Sequence, residues 1–211
     1  MAERVRRCIV DDRKLRDDSR RRDERAGREA REVDDDPYRD VLERLWILDP
    51  VPAWLPTRNR FVRLSAPPKH QLVDPALAAR LLGVGADALL DAAPAEPPIL
   101  RDGPLLGALF ESLVTLNLRV AAQAAEASVK HLRSTRGEHE VDLIVEKADG
   151  RVVAIEVKLT RTIDDGDVRQ LAWLRDRLGD DLLDAVVITT GQDAYRRADG
   201  IAVVPAALLG P

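Results

Sequence analysis

Two segments that alternate with period two, 140–146 and 151–159, are separated by the short sequence Ala148-Asp149-Gly150. Successive side chains of a strand point to opposite faces, so each segment predicts a strand with one apolar row. These rows are Val141, Leu143 and Val145 on the first strand, and Val153, Ile155, Val157 and Leu159 on the second. A three-residue turn with Gly150 in the left-handed conformation keeps both rows on one face. The chain is therefore constrained to a β-hairpin in a single register.

This register brings two carboxylates together. Counting back from the turn, with Lys147 opposite Arg151, puts Asp142 directly across from Glu156. Two carboxylates about 5 Å apart repel by roughly 3 kcal/mol at an effective dielectric near 20. Lys158, two residues further along the strand, could supply part of the compensation, and a bridging Mg²⁺ the rest. The pattern leaves two interpretations open: a metal-binding site, or a solvated salt-bridge cluster on an exposed sheet face.

Helices and further strands are predicted on both sides of the hairpin. A helix opens at Gly103-Pro104 with an apolar stripe expected to face inward, formed by Leu105, Leu106, Leu109, Leu113, Leu116 and Val120. Strands are expected at about 129–134, 139–147, 151–159, 185–190 and 201–204, and a second helix at about 165–178. This order of helix, three strands, helix and strand predicts an α/β fold of the mixed α+β kind, with a mixed sheet covered by helices.

The first hundred residues divide into two parts. Residues 1–36 contain twelve Arg or Lys and twelve Asp or Glu. Such mixed charge with few apolar residues predicts a disordered segment or a frayed helix, and a basic nucleic-acid-binding arm is the alternative. Residues 37–100 predict a small helical and proline-rich appendage, in which Asp74-Pro75 caps a helix over 76–82. Residues 101–211 then form the main domain.

Composition excludes several classes of protein. The net charge of −4 gives no overall attraction to nucleic acid, so DNA binding would require a local basic surface. The single cysteine, Cys8, excludes a disulfide framework and a multi-cysteine zinc site. The start of the chain lacks an apolar stretch, and no 18 apolar residues run without a charge, so we expect a cytoplasmic protein without a membrane partner. No Gly-x-x-x-x-Gly-Lys-Ser/Thr sequence is present, which excludes ATPase activity by this chain itself.

The arrangement of an acid, a hairpin and Glu-x-Lys between two helices resembles the PD-(D/E)XK nuclease superfamily. A longer series of stretches, in the same order over about residues 38–206, is similar to the uncharacterised C-terminal domain of prokaryotic AAA-type ATPases. The stretches that carry this second resemblance are 67–74, 76–78, 109–114, 140–143, 155–158, 190–191 and 203–205.

The resemblance to the nucleases implies a role for each site residue. Asp142 and Glu156 would bind Mg²⁺ or Mn²⁺, with help from the Val157 carbonyl, and Lys158 would orient or activate the attacking water. Glu111 would complete the catalytic set, and Gln170 would face the substrate. Helical spacing places Glu111 opposite the leucine stripe and Gln170 beside the inward-facing Leu171, so an exposed position on a helix surface is the alternative for both.

Together these expectations describe a Mg²⁺-dependent nuclease-like domain that binds DNA. Because AAA-type ATPases carry a nucleotide-binding motor, this chain would be a stand-alone or truncated relative, or would work with a separate ATPase or another partner protein. The alternative is a catalytically inactive protein-interaction module, such as a defence or toxin–antitoxin accessory, that keeps the fold without the chemistry.

Overall fold

The computed structural model describes residues 36–57, 66–86, 89, 103–134 and 137–209. Residues 1–35 of the charged segment and the proline-rich stretch at 94–98 lie outside the described residues. The described residues form two compact units. One lies within Met1–Asp49 and His70–Leu109, and the other within Pro50–Lys69 and Phe110–Pro211.

Short elements make up the first part of the chain. They are helix α1 (Asp36–Arg44), strand β1 (Leu48–Val51), strand β2 (Lys69–Leu72), which pairs with β1, and helix α2 (Pro75–Leu81). Asp74 caps α2 by accepting the Ala76 N–H at 2.8 Å, which confirms the predicted cap. Helix α1 ends at Arg44, after which the chain turns through Trp46 at a φ of 56° and enters β1.

In the described part of the chain, the main sheet has six strands. The elements are helix α3 (Gly103–Ala124), strands β3 (Ser128–Arg133), β4 (Glu140–Glu146) and β5 (Val152–Lys158), helix α4 (Arg169–Leu178), and strands β6 (Leu182–Thr189), β7 (Tyr195–Arg196) and β8 (Ala202–Pro205). The strand order is β3-β4-β5-β6-β8-β7. Strand β4 is antiparallel to its neighbours β3 and β5. Strands β5, β6 and β8 run parallel, and β7 is antiparallel to β8. This mixed sheet confirms the predicted α/β fold.

Apolar clusters cover both faces of this sheet. Leu171 and Leu174 of α4 pack in one cluster with Ala154, whereas Val114 of α3 packs in another with Ile155. Since adjacent residues of a strand point to opposite faces, α3 and α4 lie on opposite sides of β5. The face that carries Glu156 is therefore covered by a helix rather than exposed.

The predicted inward stripe of α3 is wrong in its second half. Leu113, Leu116 and Val120 are 40–66% exposed, whereas Val114 and Thr115 are buried. Thr115 can be buried because its hydroxyl donates to the Glu111 carbonyl at 2.8 Å. The helix is apolar on most of its circumference, so residue spacing alone could not identify its buried side.

The apolar character of α3 also bears on membranes. The segment Leu105–Ala124 is long and apolar enough, by length and composition, to cross a membrane, and a third of it is buried in the fold. Core helices of soluble proteins meet the same criterion, so one such helix is weak evidence for a span.

An irregular segment lies along the edge of β3. Ala53 forms a parallel bridge with His131; the Trp54 N–H donates to the His131 carbonyl at 2.6 Å, and the His131 N–H donates to the Pro52 carbonyl at 3.0 Å. These bonds satisfy backbone groups that an edge strand would otherwise present to other chains.

Candidate functional site

The β4–β5 turn has the predicted geometry. The Lys147 N–H donates to the Arg151 carbonyl at 3.0 Å, the Gly150 N–H donates to the Lys147 carbonyl at 2.9 Å, and Gly150 has a φ of 87°. The strands pair from Glu146 with Val152 to Leu143 with Ile155. Continuing that register by one residue places Asp142 opposite Glu156, as the sequence predicts.

The strands depart from a regular ladder at this point. Hydrogen-bonded and non-hydrogen-bonded residue pairs alternate along an antiparallel ladder. Lys147 and Arg151 form a hydrogen-bonded pair, so a regular ladder would also have hydrogen-bonded pairs at Leu143–Ile155 and Val141–Val157. The Val157 N–H donates instead to Asp142 Oδ2, at 2.9 Å. The Asp142 carboxylate thus binds the backbone of the strand that carries Glu156.

A β-bulge in β4 accounts for this orientation. Lys130 of β3 pairs with Ile144, but Leu132 pairs with Val141, so Asp142 and Leu143 together oppose the single residue His131. A bulge bends its strand and redirects a side chain. Nothing in the alternating sequence indicates this extra residue, and only the pairing with β3 reveals it.

Both carboxylates are buried, with Asp142 only 5% and Glu156 only 4% exposed. The solvated cluster on an exposed face is therefore wrong. A carboxylate is rarely buried unless it is paired and hydrogen-bonded, because the charged form loses its hydration.

The electrostatics of the pair follow from this burial. Burial and the adjacent Asp142 charge raise the pKa of Glu156 to about 8, against the partial opposition of Lys158, and the two carboxyl groups hydrogen-bond to each other. A proton on Glu156 is therefore shared with Asp142, which relieves the repulsion between like charges.

Lys158 lies against the same pair, with its Nζ 2.9 Å from Glu156 Oε2. Burial by itself lowers the pKa of Lys158, but the charges of Glu156 and Asp142 outweigh burial and the net pKa is raised. The structure thus brings together Asp142, Glu156 and Lys158, with Lys158 as an ammonium ion.

Glu111 is connected to the carboxylate pair by Lys69, a residue that is not among the predicted site residues. Its carboxylate forms an ion pair with Lys69, and the two side chains are 12% and 19% exposed. Burial lowers the pKa of Lys69, but the charges of Glu111 and then Asp142 reverse the shift and raise it. Because 42 residues separate Lys69 from Glu111, no local sequence pattern could have predicted this ion pair. The sequence signal for Lys69 was its position in the stretch 67–74, which resembles the C-terminal domain of AAA-type ATPases.

Gln170 contacts the two residues that precede β4. Its Oε1 lies 2.9 Å from His139 Nδ1, and its amide donates to the Glu138 carbonyl at 3.5 Å. The His139 ring stacks on Trp173 with centroids 3.7 Å apart. The structure therefore joins Gln170 to His139, and contact of Gln170 with a substrate stays a prediction.

The donor atoms at the pair suit a hard divalent cation. Mg²⁺ prefers one or two carboxylates together with waters and phosphate oxygens, which Asp142 and Glu156 could provide with the Val157 carbonyl. A cation would replace the shared proton as the charge that compensates the pair. Within the described residues no group of three or more His, Cys, Asp or Glu side chains is arranged to hold a metal ion. A metal here would therefore depend on the two carboxylates.

Comparison with known proteins gives a family match and distant similarity to solved structures. Residues 106–209 match the family described as "Domain of unknown function (DUF4143)". No curated protein matches the chain. Protein VC1899 from Vibrio cholerae is similar at 21% identity and a TM-score of 0.32, over 57% of this chain and 33% of that chain. A chain of the Thermococcus gammatolerans McrB AAA+ hexamers with bound McrC is similar at 12% identity and a TM-score of 0.33, over 81% of this chain and 59% of that chain.

The chain thus spans less than two thirds of either solved structure. The family match, in contrast, contains all five predicted site residues, Glu111, Asp142, Glu156, Lys158 and Gln170, and leaves Lys69 outside. The part of this chain that carries the buried carboxylate pair is similar to the domain of unknown function DUF4143.

Proposed function

We propose that this domain is a Mg²⁺-dependent, nuclease-like domain of the PD-(D/E)XK type that acts on DNA. The observation that carries the proposal is the buried pair of Asp142 and Glu156 with the Lys158 ammonium beside it. Burying two adjacent carboxylates opposes folding, and perturbed groups of this kind cluster at functional sites. A salt bridge with a purely structural role would need one acid, not two.

The residues of the chain have distinct roles in this proposal. Asp142 and Glu156 would hold the divalent ion, and the Val157 N–H fixes the Asp142 carboxylate in place. When bound, the ion would polarise a phosphate oxygen and offset the charge that develops on the phosphate. Lys158 uses one of its three donors on Glu156, and an ammonium has two others with which to orient a water molecule or contact the phosphate.

DNA is proposed as the substrate because of the resemblance to the PD-(D/E)XK nucleases and because two lysines lie at the site. The chain has a net charge of −4, so attraction of a phosphodiester must come from local cations. Lys69 and Lys158 provide two of them close to Asp142. A separate ATPase or another partner protein is part of the proposal on the strength of the sequence resemblance to AAA-type ATPase C-terminal domains.

A protein-interaction module is the second candidate function. Leu113, Leu116 and Val120 lie three and four residues apart on α3, and all three are exposed. Exposed apolar residues that adjoin on one helix face are typical of surfaces that bind another protein. This function would not require a metal ion at the carboxylate pair.

The test combines DNA cleavage with metal binding. The full chain is incubated with labelled single- and double-stranded DNA, with and without Mn²⁺ or Mg²⁺, and Mn²⁺ binding is followed by calorimetry. We expect Lys158→Ala to abolish cleavage yet retain Mn²⁺ binding, and Glu156→Gln to lose both. Lys147→Ala removes an exposed lysine near the turn of the same hairpin and should behave as the unchanged protein does.

Two outcomes would contradict the proposal. Cleavage that survives Glu156→Gln would have to come from another site or a contaminant. Mn²⁺ binding without cleavage of either DNA would favour the interaction module, in which the fold is kept without the chemistry.

A further inference from the structure

The Lys69–Glu111 ion pair links β2 and α3 next to the carboxylate pair. Lys69 Nζ donates to Glu111 Oε1, and the two side chains are 19% and 12% exposed. An ion pair so shielded from water interacts more strongly than one on the surface, and removing either partner leaves a poorly solvated charge. Glu111 is therefore committed to the Lys69 ammonium.

The surroundings place this ammonium on the Asp142 side of the site. His131 opposes the bulge that contains Asp142, and its ring lies 3.4 Å from the carbonyl of Pro67, two residues before Lys69. Burial and then the charge of Lys69 lower the pKa of His131, while Asp142 and Glu140 attract the Lys69 ammonium. Lys158 contacts Glu156, whereas Lys69 contacts Glu111 and interacts with Asp142 through its charge.

A second divalent ion would require the position that this ammonium holds. In two-metal sites the ions lie about 3.5–4 Å apart, and each needs carboxylate oxygens. Glu111 and Asp142 both act on the Lys69 ammonium, and the Glu111 carboxylate already binds it. An ion introduced there would meet a fixed positive charge.

We propose that the Lys69 ammonium, held by Glu111, stands in for a second divalent ion, so that the Asp142–Glu156 pair takes one divalent ion and not two. This inference rests on the metal binding assigned to the pair under the proposed function. Lys69 thereby determines how many metal ions the site holds, and it keeps a positive charge beside Asp142 in the absence of metal.

The experiment counts Mn²⁺ ions on the full chain by calorimetric titration, with folding checked by circular dichroism. The unchanged protein should bind one ion per chain. Lys69→Gln should bind a second ion, because Glu111 no longer binds an ammonium, and should bind the first about tenfold more tightly, because a nearby positive charge is gone. Lys69→Arg, which keeps the charge, should bind one ion with unchanged affinity.

A matched control exists on the same sheet. Lys130 forms an ion pair with Glu146, with the two side chains 22% and 11% exposed, which is close to the burial of the Lys69–Glu111 pair. Lys130→Gln therefore removes an equivalent ion pair and should leave the number and affinity of bound ions unchanged. A general effect of breaking an ion pair would appear in both variants.

If Lys69→Gln does not fold, the double change Lys69→Gln with Glu111→Gln removes both charges together. That variant should bind a single ion, with a smaller gain in affinity than Lys69→Gln, because loss of the Glu111 charge offsets part of the effect of losing the Lys69 charge. Two ions on the unchanged protein would overturn the inference, as would a folded Lys69→Gln that binds one ion with unchanged affinity. In those cases the proposed function would still hold if Glu156→Gln abolishes Mn²⁺ binding. If the unchanged protein binds no Mn²⁺, both this inference and the proposed function would be overturned.

Discussion

The Asp142 carboxylate accepts the Val157 backbone N–H at 2.9 Å across the β4–β5 hairpin. Val157 directly follows Glu156, so this bond ties the first acid to the backbone beside the second. The bulge in β4 orients the Asp142 side chain, and the turn at Gly150 sets the register. Backbone geometry therefore positions the carboxylate pair. A metal ion or a proton then neutralises the charge of the pair.

The stability of the protein should fall as pH rises from about 5 to about 8. Glu156 has a pKa of about 8 in the folded protein against an ordinary 4.5, so the folded state binds the proton more tightly than the unfolded state. Stabilisation from this group is complete below pH 4.5 and is lost as pH rises through about 8, by on the order of 1 kcal/mol per pH unit. Urea denaturation between pH 5 and 8.5, without divalent ions, measures this slope.

Glu156→Gln should remove this pH dependence. The amide stays neutral and can still donate to Asp142, so the variant should match the unchanged protein near pH 5 and exceed it in free energy of unfolding near pH 8. Glu138→Gln, at an exposed position, is the control and should keep the original slope. A variant Glu156→Gln with the same slope as the unchanged protein would assign the titration to another group.

Stabilisation by Mn²⁺ should increase with pH. A bound ion must displace the proton shared by Asp142 and Glu156, so affinity should fall about tenfold per pH unit below about 8. The increase in melting temperature at fixed Mn²⁺ concentration measures this, since an ion that binds only the folded state stabilises it by mass action. Equal shifts at pH 6 and pH 8 would show that the ion binds elsewhere.

Gly150→Ala should destabilise the hairpin by roughly 1–2 kcal/mol, because Gly150 has a φ of 87°, at which a Cβ clashes with the backbone. Gly107→Ala is the matched control: it lies inside α3, where an added Cβ would meet no neighbouring atom within 4 Å, and should stabilise by about 0.5–1 kcal/mol. Chemical denaturation of both variants checks the opposite signs. Equal effects would show that the turn does not require the left-handed conformation.

Neighbouring residues of α3 should respond differently to truncation. Val114 is 1% exposed and Leu113 is 44% exposed. Val114→Ala should cost about 2 kcal/mol of unfolding free energy, whereas Leu113→Ala should cost well under about 1 kcal/mol despite losing more atoms. Urea midpoints compare the two. The reverse order would restore the leucine stripe as the buried side of the helix.

The local sequence by itself determined the hairpin and its register. Alternation over 140–146 and 151–159, with a glycine at the end of a three-residue turn, admits one pairing that keeps the apolar rows together. The opposition of Asp142 and Glu156, and the position of Lys158 beside them, follow from that pairing. The α/β fold was also predictable, because the order of periodic segments specifies which elements alternate.

Tertiary structure alone decided the environment of these residues. The burial of Asp142 and Glu156 depends on packing around the sheet, and the bulge at Asp142 depends on pairing with β3. The ion pair between Lys69 and Glu111 joins positions 42 residues apart. Periodicity and turn chemistry report the neighbours of a residue along the chain, whereas its pKa and its partners depend on packing between distant segments. The sequence could therefore place two acids opposite each other, but only the folded chain determines that they share a proton.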